Sequence, residues 1–266
     1  MFEILAYSFM QKAFIGGLIS AMLLSAFGVF MVLKRLSLIT DGIAHIAFAG
    51  VAAGLYLKID PLLTATATSL AGVLGIQALK QKKVYADAAI AILFSLGLSV
   101  GIILISLSKG FNVDLFSFLF GSILSITNSD LLYITALAIA SAAILYTFYK
   151  EFFYITLNEE AAKVSGLPVD SLNLLMLALT ALVVVTSIKI IGILLVTSLA
   201  IIPASAALLL KKSFKKTIFY SMLFASASLL VGLFASYYLN IAPSGCIVIT
   251  AILIFLGVMA KPKKKK

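Results

Sequence analysis

The chain has 266 residues, of which 63% are hydrophobic and 11% charged, with a formal net charge of +10. Its mean hydropathy is +1.19, and a soluble domain carries about 25% charged residues, so there is too little polar surface here for a water-soluble fold. The basic excess lies between apolar runs and at the C-terminus, where it is read as a topology signal and a contact with anionic headgroups rather than as a nucleic-acid surface. One cysteine, Cys246, excludes an intrachain disulfide and any CxxC metal motif.

A bilayer span needs about 20 mostly apolar residues. In chain order such runs are 13–33, 37–57, 61–79, 86–107, 129–149, 171–188, 190–210, 217–239 and 244–260. The first lacks a basic n-region and is followed by Lys34-Arg35, so it reads as a retained span rather than a cleaved leader. The stretch 111–127 is apolar but short and carries Asn112 and Asp114, which reads as a re-entrant or interfacial segment. The expectation is an all-α polytopic membrane protein of about nine spans, a single domain over 1–266. Pro61 and Asp170 mark helix starts, Asp170 as an N-cap, and Pro203 predicts a kink.

Sixteen of the twenty Lys and Arg residues fall in alternate connections, at 34–35, 79–83, 150–170, 211–216 and 261–266. Lys12, Lys58, Lys109 and Lys189 fall on the other side. The positive-inside rule then puts the N-terminus outside and the C-terminus in the cytoplasm of a multi-pass protein of the cell membrane. Asp60, Asp114 and Asp130 read as solvated or capping residues at outer span ends, with Asp114 a candidate for a funnel leading in. Lys189, in a tight outer turn, reads as snorkelling, Asp87 as a helix-dipole residue, and KPKKKK as a lipid-facing tail.

Charge within a span is expensive and is a functional hypothesis by default. In SLITDGIAHIAFAGVAAG (37–54), Asp41 lies one turn inside the cytoplasmic end and His45, the only histidine, lies deeper. Spacing of i, i+4 puts both on one helix face. A carboxylate and an imidazole form a partial ligand set for Zn²⁺, Mn²⁺ or Fe²⁺; the same pair could instead bond internally or relay protons. Two ligands leave coordination positions open, which two chains about a two-fold axis could fill. The alanine-rich surroundings and Gly50-x-x-x-Gly54 suit close helix packing.

In NEEAAKVSGLPVD, Asn158, Glu159 and Glu160 suit a helix start and Gly166 a helix end, which predicts a short cytoplasmic helix of about two turns, either a connector or a docking element. No G-x-x-x-x-G-K-[ST] is present for nucleotide phosphates. A single histidine excludes HExxH.

Five segments in order resemble the permease subunit of zinc/manganese/iron ABC importers, a type II-like architecture. They are LKRLSLITDGIAH, ADAAIAILFSLGLSVGIILIS (86–106), FLFGSILSITNSDLL (118–132), NEEAAKVSGLP and IGILLVTSLAIIPASAA (191–207). The resemblance implies a homodimer in the lipid bilayer, two cytoplasmic ATP-binding subunits, an extracytoplasmic metal-binding protein, and a transported divalent metal with no tightly bound cofactor. It implies metal contact by Asp41 and His45, and ATPase coupling through Asn158, Glu159, Glu160, Ala161, Ala162, Lys163 and Gly166. Asn158 stands where the family has Asp, and Ala49 where a larger residue is common. The competing readings are a secondary transporter, which would show paired inverted repeats, and an ABC permease for a siderophore or vitamin, which would not need Asp-x-x-x-His.

Overall fold

The computed structural model describes residues 8–108, 113–122 and 126–260, with the backbone alone at Phe9, Val113 and Asp114. The Asp114 side chain and the KPKKKK tail lie outside the described residues. The described elements are all helical: α1 (Ser8–Leu33), α2 (Ile39–Leu57), α3 (Pro61–Gln81), α4 (Ala86–Leu107), α5 (Val113–Phe120), α6 (Asn128–Thr147), α7 (Tyr149–Leu157), α8 (Glu159–Val164), α9 (Val169–Ile191), α10 (Val196–Leu209), α11 (Phe214–Leu239) and α12 (Pro243–Met259). Each of the nine expected spans overlaps a helix, but the turn expected at Lys189 lies instead at 192–195, because α9 runs on to Ile191. Seven are long and apolar enough to cross a membrane, while α10 and α12 are shorter, at 14 and 17 residues.

Burial separates central helices from peripheral ones. α2 and α9 are buried around most of their circumference: α2 packs between α3 and α4, and α9 touches α1, α2, α3 and α6. A helix that is apolar all round belongs either in a core or against lipid. α6 takes the second course, burying only the stripe Asp130, Ile134, Ala138 and Ser141 while Leu132, Ile139 and Tyr146 point outward. α4 likewise buries Ala89, Ile90, Gly97, Gly101 and Ile105 and turns Ile92, Leu96, Ile102 and Ile103 outward.

The caps follow local chemistry. Asp60 accepts from the Leu62 and Leu63 amides at 2.8 and 3.1 Å, with Pro61 at the first helical position. Asp130 closes a capping box with Thr127. Asp170 is not an N-cap: α9 begins one residue earlier, with Pro168 in the cap position and Asp170 in the first turn.

The described residues of 111–127 form no tenth span. α5 has eight residues, about 12 Å at 1.5 Å per residue, and its C-terminal end lies against the break between α9 and α10. Non-helical backbone at membrane depth must be satisfied within the protein, and here the two irregular stretches satisfy each other. Ile193 donates to the Phe118 carbonyl (3.0 Å), Leu194 to Leu119 (3.2 Å) and Ser122 to Lys189 (3.1 Å). Gly192 makes the crossing possible: its φ is +91°, and a Cβ there would sit 2.5 Å from the Leu119 carbonyl oxygen. This break shortens α10, which then runs on through Pro203.

Lys189 does not snorkel. Its ammonium contacts the Asp130 carboxylate, and the two side chains are only 15% and 9% exposed. The pair joins α6 to the end of α9, so Asp130 caps and is paired rather than solvated.

Candidate functional site

Asp41 falls in the first turn of α2 and His45 one turn later. The His45 ring is 11% exposed and the Asp41 side chain 35%, so the carboxylate is the open member. The two groups do not bond directly through their side chains: Nδ1 of His45 is 3.8 Å from Oδ1 of Asp41 but 3.0 Å from the Asp41 main-chain oxygen. A carbonyl only accepts, so this bond puts a ring proton on Nδ1, which in the neutral ring leaves a lone pair on Nε2. Metal-ligating histidines have this arrangement, with the other ring nitrogen bonded to a carbonyl or carboxylate.

Three further elements shape the pair. Thr197, in the first turn of α10, donates its hydroxyl to Asp41 Oδ1 at 3.3 Å. Phe94 of α4 lies with its ring centroid 4.1 Å from that of His45. Gly97, one turn further along α4, lets that helix close on the His45 backbone: an added Cβ would meet the His45 carbonyl oxygen at 2.5 Å. Gly50 and Gly54 serve the opposite side of α2, against Thr64, Ala65 and Thr68 of α3. Among the described residues no group of three or more His, Cys, Asp or Glu side chains gathers to hold an ion. One chain therefore brings together one carboxylate, one imidazole and a nearby hydroxyl.

The second sequence-predicted cluster forms α8. Asn158 caps it, accepting from the Ala161 amide at 2.9 Å, and Gly166 follows with φ +81°. The seven predicted residues divide between two faces. Ala162 is fully buried, and Glu159 turns back to bind the Lys34 ammonium and the Asn173 amide (3.3 Å). Glu160 and Lys163 are exposed, Ala161 is partly exposed, and Val164 is 89% exposed.

Lys34 is the unexpected member. It is not a solvated topology signal: its side chain is 6% exposed, and it also donates to the Ile155 carbonyl at 3.3 Å. Burial lowers its pKa below 10.5, an effect that Glu159 partly offsets. Burial alone would raise Glu159, but the Lys34 hydrogen bond and charge, with Asn173, hold it below 4.5.

Comparison with known proteins agrees with this architecture. Residues 6–262 match the ABC 3 transport family. The chain is 34% identical over 263 residues to the manganese transport system membrane protein MntC of Listeria monocytogenes, covering 98% of this chain and 94% of that one. It is 33% identical over 251 residues to the manganese import system permease protein ScaB of Streptococcus gordonii, covering 94% and 90%. The structure of PsaBC from Streptococcus pneumoniae in complex with Fab superposes with a TM-score of 0.89 at 32% identity, covering 98% and 94%. Membership implies an ATPase and a binding protein as partners, with nucleotide hydrolysis outside this chain. The chain belongs to the ABC 3 transport family, as a multi-pass membrane permease of an ABC transporter.

Proposed function

We propose that this chain, acting as one permease domain, forms the pathway of an ATP-driven importer of a divalent transition metal, with manganese the ion for which its relatives MntC and ScaB are named. The observation that carries the reading is the Asp41–His45 pair, with an imidazole proton held on Nδ1 by the Asp41 carbonyl. A bare divalent ion cannot cross hydrocarbon, so a pathway must offer ligands that bind weakly enough to release. A carboxylate and an imidazole suit Mn²⁺, Fe²⁺ and Zn²⁺, and water or a second copy of the chain would complete the coordination.

In this reading the N-terminus is outside and the C-terminus in the cytoplasm. The contact between Lys34 and Glu159 supports the partition, because it joins two of the basic connections. Two ATP-binding subunits dock on the outward face of α8, at Glu160, Lys163 and Val164, and a metal-binding protein delivers the ion from outside. Closure of the ATPases pushes α8, and the contact from Glu159 to Lys34 passes that movement to the end of α1, seven residues before Asp41.

The test is Mn²⁺ uptake by the reconstituted complex with its ATPase and binding protein, in wild type, Asp41→Ala and His45→Ala. Uptake is expected to collapse in both variants while assembly and ATP hydrolysis persist. Unchanged uptake in both would make the pair structural and end the proposal.

A further inference from the structure

A groove of about 900 Å³ opens between α1, α6 and α11, at the end of the bundle where α7 begins. Its long wall is apolar, with Leu23, Ile218 and Met222 among its lining residues. Its mouth is charged: Lys150, Glu151 and Lys215 also line it. Lys215 extends over the ring of Tyr149, with the ammonium 5.6 Å from the centroid, and that ring rests in turn on Phe153 and Phe214. Glu151 contributes an oddity. Its Oε2 is shielded from solvent and has no hydrogen-bond partner among the described residues, and an unmet buried acceptor costs free energy.

We infer that this groove is a binding site for one anionic phospholipid with hydroxyl groups on its headgroup, the chemistry of phosphatidylglycerol. Two ammonium groups and one carboxylate leave one net positive charge at the mouth, which one phosphodiester balances. A headgroup hydroxyl can donate to the Glu151 carboxylate, which lines the groove. A choline headgroup has no such donor, and an ethanolamine headgroup brings no net negative charge. The apolar wall takes an acyl chain, and the charges stand at the end of the spans, where headgroups lie. The inference is independent of the metal pathway, since the groove shares no residue with Asp41, His45 or Thr197.

Native mass spectrometry of the full chain, purified with its partner subunits, delipidated and titrated with defined lipids, tests it. Wild type is expected to retain one POPG per chain at roughly tenfold higher occupancy than POPC. POPE should fall near POPC, and glycerol 1-phosphate alone should not compete. Lys150→Ala with Lys215→Ala should bring POPG down to the POPC level, and Met222→Trp, which fills the groove and keeps the charges, should displace it too. Glu151→Gln should narrow the preference for POPG over POPC. Equal POPG retention in wild type and the double-lysine variant overturns the inference, as does equal binding of glycerol 1-phosphate. Disulfide formation between two chains carrying Ala142→Cys would give the groove to a second copy and would also overturn it. Thermal unfolding of each variant identifies any that fail to fold, and the Lys and Met222 variants test the site independently of one another.

Discussion

The ammonium of Lys34, at the end of α1, binds the carboxylate of Glu159, the first residue of α8. The contact spans 125 residues of sequence and ties the predicted docking helix to the segment that leads into α2, which carries Asp41 and His45. A neighbouring bond from Lys34 to the Ile155 carbonyl and one from Asn173 to Glu159 make it a four-part clasp around α7, α8 and α9.

Because Glu159 titrates below its ordinary value of 4.5 in the folded chain, its contribution to stability has a defined sign. A lowered carboxylate stabilises the fold above the unfolded value, and the contribution is lost as pH falls through the folded one. Thermal unfolding of the purified protein should therefore lose stability below about pH 4.5. Glu159→Gln should start lower at pH 7 and lose less on acidification. A Glu159→Gln profile parallel to that of wild type would show that other groups set the acid limb.

Thr197 holds one oxygen of Asp41 from a helix remote in sequence. A hydrogen bond to a charged group contributes about 1.5–3 kcal/mol when buried, and the exposure of Asp41 reduces that toward 1 kcal/mol. Thr197→Val should then lower Mn²⁺ uptake by about threefold to tenfold, by the 1.4 kcal/mol per decade relation, and Thr197→Ser should restore most of it. Uptake by the valine variant equal to wild type would remove Thr197 from the site.

The contrast between Asp41–His45 and Thr197 marks what a sequence can reveal. A carboxylate and the sole histidine, four apart inside an apolar run, violate the composition around them, and spacing alone puts them on one face. A threonine hydroxyl violates nothing, since it can bond the preceding turn of its own helix, so only tertiary packing selects Thr197. The break at 192–195 was hidden for a related reason: the run 190–210 stays apolar throughout, and composition cannot distinguish a full span from a short helix preceded by buried irregular backbone. Its one visible sign was Gly192. Lys189 reads as snorkelling and Asp130 as solvated or capping, and their pairing stays hidden because nothing local reveals that α6 and α9 meet there.

Gly97 tests the packing that presents His45. Any side chain there must move the His45 backbone or α4 itself, because the obstructing atom is a main-chain oxygen. Overpacking of this kind costs about 1–3 kcal/mol. Gly97→Ala should lower the unfolding temperature and reduce uptake together, while Gly245→Ala, where an added Cβ meets nothing within 4 Å, should change neither. Equal stability of the two variants would mean that α4 yields freely.

Asp130 and Lys189 form a second long-range ion pair, and its burial sets the expectation. Removing one member of a buried pair strands the other and costs about 3–5 kcal/mol, whereas replacing both can be nearly neutral. Asp130→Asn keeps an oxygen to accept from the Thr127 amide, so the cap survives and the loss reports on the stranded Lys189. Lys189→Met keeps the chain length and removes the charge. Each single variant should lower the unfolding temperature clearly, and the double variant should recover most of the loss. The recovery matters because Ser122 donates to the Lys189 carbonyl: the main-chain seam between α5 and the α9–α10 break depends on where Lys189 lies, not on its charge. Additive losses in the double variant would mean instead that the two side chains act separately, and that the seam alone holds this end of the bundle together.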